Sequence, residues 1–142
     1  MPSGLDHIRA IISGEIPQAP MAVTMGFELK RVELGESRFE AVPGEQHRNP
    51  LGTVHGGLAL TMLDSAAGCA VHSTLVDGEH YATLETKVNM LRPILPDSGV
   101  VVAEGKVIHR GSRTALAEAT LTSAETGKRL AHATSTCLIM SG

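Results

Sequence analysis

The stretch "NPLGTVHGGLALTMLDSAAGCAV", residues 49–71, contains a single charged side chain, Asp64, among apolar and small residues. Its Ala, Leu and Met content favours an α-helix from His55 to about Leu75, and the "VDGEH" segment that follows supplies the stop. Because this helix is apolar almost all round, a curved sheet or a partner must cover it. Burial there would deprive a carboxylate of hydration, which favours a functional Asp64 over an exposed or hydrogen-bonded structural Asp.

Strand patterns flank this helix on both sides. Upstream, an amphipathic helix is predicted over residues 5–12, ended by Gly14, and two strands are predicted within residues 23–42 with a turn at Gly35. Residues 43–53, "PGEQHRNPLGT", are predicted to form a loop. Downstream, four strand patterns follow one another: "YATLETKVNML", "GVVVAEGKVIH", "RTALAEATLTS" and "RLAHATSTCLIM". Consecutive strands joined by short turns predict an antiparallel sheet and the α+β class.

Length and composition narrow the function classes. The 142 residues predict one domain, residues 1–142, in which residues 1–20 form an N-terminal helical extension. The net charge of −3 gives no reason to expect nucleic acid or an anionic membrane as a partner, and three aromatic residues are too few for base stacking. A secretory leader and an apolar run long enough to span a bilayer are both missing, so the predicted location is cytoplasmic.

The cysteines and histidines indicate neither a metal nor a cofactor. Cys69 and Cys137 lie far apart with no CxxC spacing, so both are predicted to be reduced core residues. The seven histidines form no HxH or HExxH arrangement, which argues against a metal site. Although Cys69 could be imagined as a nucleophile, its apolar surroundings favour core packing.

The start of the predicted helix and its acid form two halves of a possible site. A helix that begins at His55–Gly56 has unpaired N–H groups there, and Gly56 and Gly57 would let an acyl oxygen approach them closely, although a tight loop is the alternative. Asp64 lies eight residues further on, roughly 12 Å along the axis, whereas groups acting on one carbonyl must lie within about 3–4 Å of it. The spacing therefore predicts a two-fold dimer whose antiparallel helices bring Asp64 of one chain to Gly56 of the other.

These residues resemble a known family. "HRNPLGTVHGGLALTMLDSAAG" followed by "TLETKVNMLRPI" is similar to the hotdog-fold acyl-CoA thioesterases of the PaaI (phenylacetate-pathway) type, and the resemblance covers roughly residues 22–140. It implies a hotdog fold, in which a curved antiparallel β-sheet wraps one long central α-helix. It also implies hydrolysis of an acyl- or aryl-CoA thioester to free acid and CoA without metal or cofactor, in a homodimer with shared active sites that pairs further into a tetramer.

Carried over residue by residue, the resemblance implies that Asp64 is the catalytic carboxylate, acting either as general base on water or as nucleophile. The Gly56 N–H would polarise the thioester carbonyl. His55 and Asn49 would position the carbonyl or the attacking water. Thr83 matches a Ser/Thr position that hydrogen-bonds near the carboxylate across the dimer. It lies on the more polar side of its strand.

Further expectations concern the type of acid, the strand beside it and the two ends of the substrate. Other members carry a Glu where this chain has Gly68, so the chain is assigned to the Asp type. Strict strand alternation puts Thr83 and Thr86 on opposite faces of the first downstream strand. Leu5, Ile8 and residues 21–25 could line the acyl pocket. The CoA end should need cations, and the candidate contacts are Arg92, Arg110, Gly111, Ser112 and Arg113.

Two other functions are considered. Hotdog hydratases or dehydratases use a "DxNPLH"-like run, whereas "RNPLGTVH" lacks that acid and places three residues between Leu51 and His55. An acyl-CoA-binding or regulatory hotdog module would lead one to expect an appended DNA-binding or second domain. The identity of the acyl group stays open, with aryl and medium-chain groups both possible.

Overall fold

A computed structural model describes residues 3–142, so the first two residues of the predicted N-terminal extension lie outside it. Within the described residues the chain forms three α-helices and six strands. The helices are α1 (Gly4–Ser13), α2 (Pro20–Met25) and α3 (Gly56–His72). The strands are β1 (Phe27–Glu33), β2 (Glu36–Ala41), β3 (Glu79–Met90), β4 (Val101–Arg110), β5 (Thr114–Ser123) and β6 (Arg129–Ser141).

All six strands join one antiparallel sheet in the order β1-β2-β4-β5-β6-β3. Along β5, and along β6 from Ala131 to Ile139, every second side chain is buried, as expected for strands that cover a core with one face. That face wraps around α3, where Met62, Leu63 and Ala66 have no exposed surface. The α+β class and the hotdog arrangement of a curved sheet around a long helix are therefore confirmed.

The helix and the sheet approach most closely at β4. A Cβ atom on Gly105 would lie 2.1 Å from the Ala66 carbonyl oxygen, so only glycine fits at this contact. The buried Ser37 hydroxyl donates to the same oxygen over 2.6 Å. Small residues in the second half of α3 thus let the helix lie deep against the sheet.

The structure corrects the prediction for residues 23–26. Residues 20–25 form α2 rather than the start of a strand, with Pro20 in its first turn and Gly26 (φ 80°) ending it in the left-handed conformation. Proline and glycine are the usual limits of a short helix, and they outweigh the strand propensity of Val23. The predicted first helix is confirmed, and α1 adds a capping box between Ser3 and Asp6.

The order of strands also differs from the order along the chain. β3 pairs with β6 and lies at the edge of the sheet, because residues 91–100 carry the chain across to β4 at another position. The three strands β4, β5 and β6, which short turns connect, do lie side by side as predicted. None of the twelve residues of β3 is buried in the single chain. No helix within residues 3–142 is long and apolar enough to cross a membrane.

Candidate active site

The N-terminus of α3 is organised by the side chain of His55. His55 is the N-cap, and its Nδ1 atom accepts a hydrogen bond from the Gly57 N–H over 2.7 Å. A neutral imidazole that accepts at Nδ1 carries its proton at Nε2, so His55 has a donor free on its exposed side. A Cβ atom on Gly57 would lie 2.8 Å from that same Nδ1 atom, so glycine at this position leaves room for the cap.

Gly56, the first residue of α3, keeps a free backbone donor. None of the hydrogen bonds among residues 3–142 uses its N–H, and the residue is exposed. The terminal methyl group of Met90 lies nearby, 3.2 Å from where a Cβ atom on Gly56 would be. An exposed N–H at the positive end of a 17-residue helix is suited to polarise a carbonyl oxygen.

Asp64 lies eight residues further along α3 and is exposed, so the expectation that it is desolvated is wrong for the single chain. The sheet covers the opposite face of α3 and leaves uncovered a stripe formed by Gly56, Leu60 and Asp64. Around Asp64 an open groove is lined by residues of α3 and β3 together with Met21. The carboxylate therefore borders a surface that solvent or a second molecule can reach.

Two threonines of β3 hold one oxygen of this carboxylate. Thr83 donates to Asp64 Oδ1 over 3.2 Å and Thr86 donates to the same atom over 3.3 Å, both within one chain. A register shift between Thr83 and Glu85 breaks the strand alternation at Leu84, which turns both hydroxyls to the same side. Asp64 Oδ2 receives no hydrogen bond from residues 3–142, and Asp64 lines the groove.

Sequence reasoning missed Thr86, because strict alternation assigned it to the opposite face from Thr83. The bulge occurs within a run of ordinary strand residues, so no glycine or proline marks it. Thr86 also lies 3.2 Å from the buried Ser135 hydroxyl, which in turn donates to the Glu85 carbonyl oxygen over 3.1 Å. Since the carboxylate is the stronger acceptor, Thr86 gives its single proton to Asp64.

Asn49 lies in the loop before α3, where its side chain is already engaged. Its amide nitrogen donates to the Thr53 hydroxyl over 2.8 Å, and its amide oxygen accepts from the Leu51 N–H over 2.9 Å. The same loop is tied to the helix start by the His55 N–H, which donates to the His47 carbonyl oxygen over 2.6 Å. The observed contacts of Asn49 shape this loop, and its contact with a substrate stays a prediction.

The predicted CoA contacts do not lie together in one chain. Arg92 lines an apolar depression beside Gly56, where it donates to the Arg129 carbonyl oxygen over 3.0 Å. Arg110 lies at the other end of α3, where its guanidinium donates to Thr74 and forms an ion pair of 2.5 Å with Glu79. The turn at residues 111–113 follows Arg110 at that end of α3. Arg92 therefore lies near one end of the helix, and Arg110 and the turn lie near the other.

Gly68 faces the only tyrosine of the chain. A Cβ atom at Gly68 would lie 2.7 Å from the Tyr81 hydroxyl, so the ring of Tyr81 fills the place where a longer side chain at this position would extend. Next along the helix, burial raises the pKa of the Cys69 thiol to about 12, which keeps it neutral and unreactive near pH 7. Cys69 and Cys137 are both buried and free, as predicted.

Comparison with known proteins decides the family. Residues 51–129, more than half of the chain, match the family model of the thioesterase superfamily. The chain belongs to the thioesterase superfamily. This membership confirms the predicted resemblance and the prediction of a thioester hydrolase.

Named relatives and a solved structure agree with this assignment. The thioesterase is 30% identical to the 1,4-dihydroxy-2-naphthoyl-CoA hydrolase of Listeria monocytogenes, over 75% of this chain and 85% of that protein. It is 32% identical to the acyl-coenzyme A thioesterase 13 of Mus musculus, over 62% of this chain and 61% of the mouse protein. A phenylacetic acid degradation-related protein from Ralstonia eutropha superimposes with a TM-score of 0.82 at 29% identity, over 92% of this chain and 98% of that one.

Proposed function

We propose that this thioesterase hydrolyses acyl-CoA at a site shared by two protomers, where Asp64 of one chain acts on a carbonyl bound by the partner's Gly56. The observation that carries the proposal is that Asp64 and Gly56 are exposed on the same stripe of α3, each with a group prepared for chemistry. Among residues 3–142, Thr83 donates to one oxygen of Asp64 and no hydrogen bond uses the other oxygen or the Gly56 N–H. Eight residues of helix, about 12 Å, separate them within one chain, which is too far for one carbonyl.

The position of β3 at the edge of the sheet supports a specific pairing of two chains. β3 contacts Asp64 through Thr83 and approaches Gly56 through Met90, and it pairs with β6 on one side only. An unpaired strand edge is a template for a second strand. Antiparallel pairing of two β3 strands about a two-fold axis near Lys87 brings Leu84 opposite the partner's Met90, and therefore the Asp64 half of one site toward the Gly56 half of the other.

Exposed apolar side chains along the same surface support this pairing. Leu60 on α3 is 46% exposed, and Leu84 and Met90 on β3 are 59% and 50% exposed. Together these three side chains border the Asp64 groove and the Gly56 end of β3. Covering such a patch with its own copy removes apolar surface from water and closes the site against bulk solvent. Further pairing of dimers into tetramers stays a prediction.

The chemistry needs only a water molecule and the groups described. As general base, Asp64 removes a proton from water, which attacks the thioester carbonyl carbon, while the Gly56 N–H stabilises the oxyanion. The carbon–sulfur bond then breaks, and the proton passes to the CoA sulfur. As nucleophile, Asp64 would instead attack the carbonyl carbon and break the carbon–sulfur bond to form an anhydride, and the expelled CoA thiolate would take a proton from solvent. Water would then open the anhydride to the free acid and the Asp64 carboxylate. The Nε2–H of His55, the N-cap of α3, would donate to the oxyanion or to the water.

CoA as the carrier is supported by the names of the two relatives and by a cation near the carbonyl site. Arg92 lies beside Gly56, where it could contact a phosphate. Arg110 is a weaker candidate because Glu79 and Thr74 occupy its guanidinium. Arg113, in the exposed turn, stays a predicted contact.

The first test replaces the carboxylate. Asp64→Asn should lower kcat/KM by about 1,000-fold or more, because it removes the base or nucleophile and changes little else at an exposed position. Release of CoA from acetyl-, octanoyl- and benzoyl-CoA is followed with a thiol reagent. Asp77→Asn, another exposed aspartate, is the matched control and should retain activity. Turnover by Asp64→Asn near that of the wild type would contradict the mechanism.

The second test asks whether the site is shared. Gly56→Pro removes the N–H that is the proposed oxyanion donor. Proline is tolerated at the first position of a helix, and the extended backbone of the preceding His55 (ψ 134°) is compatible with it. Gly56→Ala adds a Cβ atom but keeps the N–H, and should retain far more activity. Equal amounts of Asp64→Asn and Gly56→Pro chains, unfolded and refolded together, should recover about a quarter of wild-type activity through hybrid dimers with one intact site. No recovery would mean that each site lies within one chain.

A further inference from the structure

His47 is a buried histidine that the proposed chemistry does not use. It ends a short 3-10 helix (Glu45–His47) in the loop before α3, and only 6% of its surface is exposed. Among residues 3–142 it is the only buried histidine, and no Asp, Glu, Lys or Arg there is buried. An imidazole loses its hydration on burial, so its nitrogen atoms need partners inside the protein.

Both ring nitrogens of His47 have a backbone partner. Nδ1 accepts a hydrogen bond from the Gly44 N–H over 3.0 Å, and Nε2 donates to the Met25 carbonyl oxygen over 2.5 Å. Because an N–H can only donate and a carbonyl oxygen can only accept, these partners require one neutral tautomer, with its proton on Nε2. The ring is thereby held between its own loop and the end of α2.

The Met25 carbonyl oxygen lies at the C-terminal end of α2, where helix carbonyls lack partners within the helix. No other hydrogen bond among residues 3–142 uses this oxygen. The same helix carries Met21, which lines the Asp64 groove. The imidazole of His47 therefore connects a helix that borders the carboxylate with the loop that leads to α3.

The backbone of His47 continues this connection to the start of α3. Its carbonyl oxygen accepts a hydrogen bond from the His55 N–H over 2.6 Å, and the neighbouring residues Arg48 and Val54 form a β-bridge. His55 is the N-cap of α3, and the next N–H along the chain is that of Gly56. A shift of the His47 backbone would therefore move the cap and the Gly56 N–H together.

We infer that His47 is a positioning residue for the thioester carbonyl. Its ring fixes its backbone, its carbonyl oxygen fixes His55, and His55 sets the position of the Gly56 N–H. The inference rests on the proposed function, in which this N–H stabilises the oxyanion. A misplacement of about 1 Å at such a donor costs on the order of 100-fold in rate.

The first experiment removes the two ring hydrogen bonds of His47 together and one at a time. His47→Leu loses both, His47→Asn keeps an acceptor near the position of Nδ1, and His47→Gln keeps a donor near that of Nε2. For octanoyl-CoA we expect kcat to fall about 100-fold in His47→Leu and about 10-fold in the other two, with KM changed less than about 3-fold. Asn and Gln variants as slow as His47→Leu would overturn the role of the ring.

Ser37→Ala is the control for a loss of stability alone. The Ser37 hydroxyl is buried and donates one hydrogen bond to the Ala66 carbonyl oxygen, in the second half of α3. This variant should lower the melting temperature but keep the wild-type kcat. If kcat followed the melting temperature across Ser37→Ala and the three His47 variants, His47 would act only through stability and the inference would be wrong.

Mixed dimers show which half of the site His47 serves. In the shared-site arrangement, His47→Leu impairs the Gly56 half and leaves Asp64 of the same chain intact. Refolded with Asp64→Asn, it should restore about a quarter of wild-type activity, whereas with Gly56→Pro it should restore none. His47→Asn is used in the same mixtures if His47→Leu does not refold.

The opposite pattern in these mixtures would overturn the inference. Recovery with Gly56→Pro would place the effect of His47 at Asp64, and recovery in neither mixture would mean that both halves are damaged. Failure of the proposed function is a separate result, because the mixture of Asp64→Asn with Gly56→Pro would then recover nothing.

Discussion

The two faces of α3 differ in burial and in chemical character. On one face Met62, Leu63 and Ala66 are fully buried beneath the sheet, and on the other Leu60 and Asp64 are exposed. The buried face is packed by the chain itself, so its residues determine whether the protein folds. The exposed face has a carboxylate that β3 hydrogen-bonds and exposed apolar neighbours, so we propose that its residues determine activity and association. In this proposal, the residues that serve stability and those that serve function lie on opposite faces of one helix rather than in different parts of the chain.

The largest expected effect on stability comes from the buried face. Leu63→Ala should lower the free energy of unfolding by about 3 kcal/mol, because a fully buried leucine leaves a cavity that the sheet cannot fill. Urea denaturation measures this difference. The matched change Leu34→Ala, at a side chain that is 70% exposed, should alter stability by less than about 0.5 kcal/mol. An equal loss of stability at the two positions would contradict the role of the buried face of α3 in folding.

The exposed face should respond in association and activity instead. Leu60→Glu places a carboxylate in the proposed interface, opposite its own copy, and should shift the protein to monomers with at least about 100-fold lower kcat/KM. Light scattering and CoA release are measured at the same protein concentration. Leu34→Glu adds the same charge to an exposed turn and should leave both unchanged. A fully active Leu60→Glu monomer would refute the shared site.

A smaller effect is expected where β3 supports the exposed face. Thr83→Val and Thr86→Val keep the branched shape but remove one hydrogen bond each to Asp64 Oδ1, so each should lower kcat/KM by about 10-fold. Thr83 is exposed, so its variant should melt within a few degrees of the wild type. Thr120→Val, on the central strand β5 and away from the groove, is the control. Normal activity of Thr86→Val would show that the bulge has no role at Asp64.

The smallest effect concerns pH and the buried face. The Cys69 thiol ionises near pH 9 in the unfolded chain, whereas burial raises its pKa to about 12 in the folded protein. Rising pH therefore favours the unfolded state, in which the thiol ionises first. The stability that the protein has with a neutral thiol is fully present below pH 9 and decreases between pH 9 and 12. Between pH 9 and 10 wild-type stability should fall by roughly 1 kcal/mol more than that of Cys69→Ala. If the free energies of unfolding of the wild type and of Cys69→Ala fell equally with pH, burial would not raise the pKa of the Cys69 thiol.

Local pattern was sufficient for most of the fold. The small apolar residues of α3, and the alternation in "RTALAEATLTS" and "RLAHATSTCLIM", each reflect the face that an element buries. The prediction of a strand at residues 23–26 is wrong because Pro20 and Gly26, residues typical of helix ends, enclose the short helix α2. The spacing of Gly56 and Asp64 indicated a two-chain site because helix rise is nearly constant.

Long-range pairing decided the rest. The sequence determined that α3 is helical and apolar, that strands follow it, and that its acid and its first N–H lie too far apart for one carbonyl. Only the tertiary structure decided that β3 lies at the sheet edge, that its bulge turns Thr86 toward Asp64, and that Tyr81 occupies the space at Gly68. The reason is physical: side-chain periodicity records what each segment buries, whereas strand order, register shifts and contacts between distant elements depend on the whole chain packing at once.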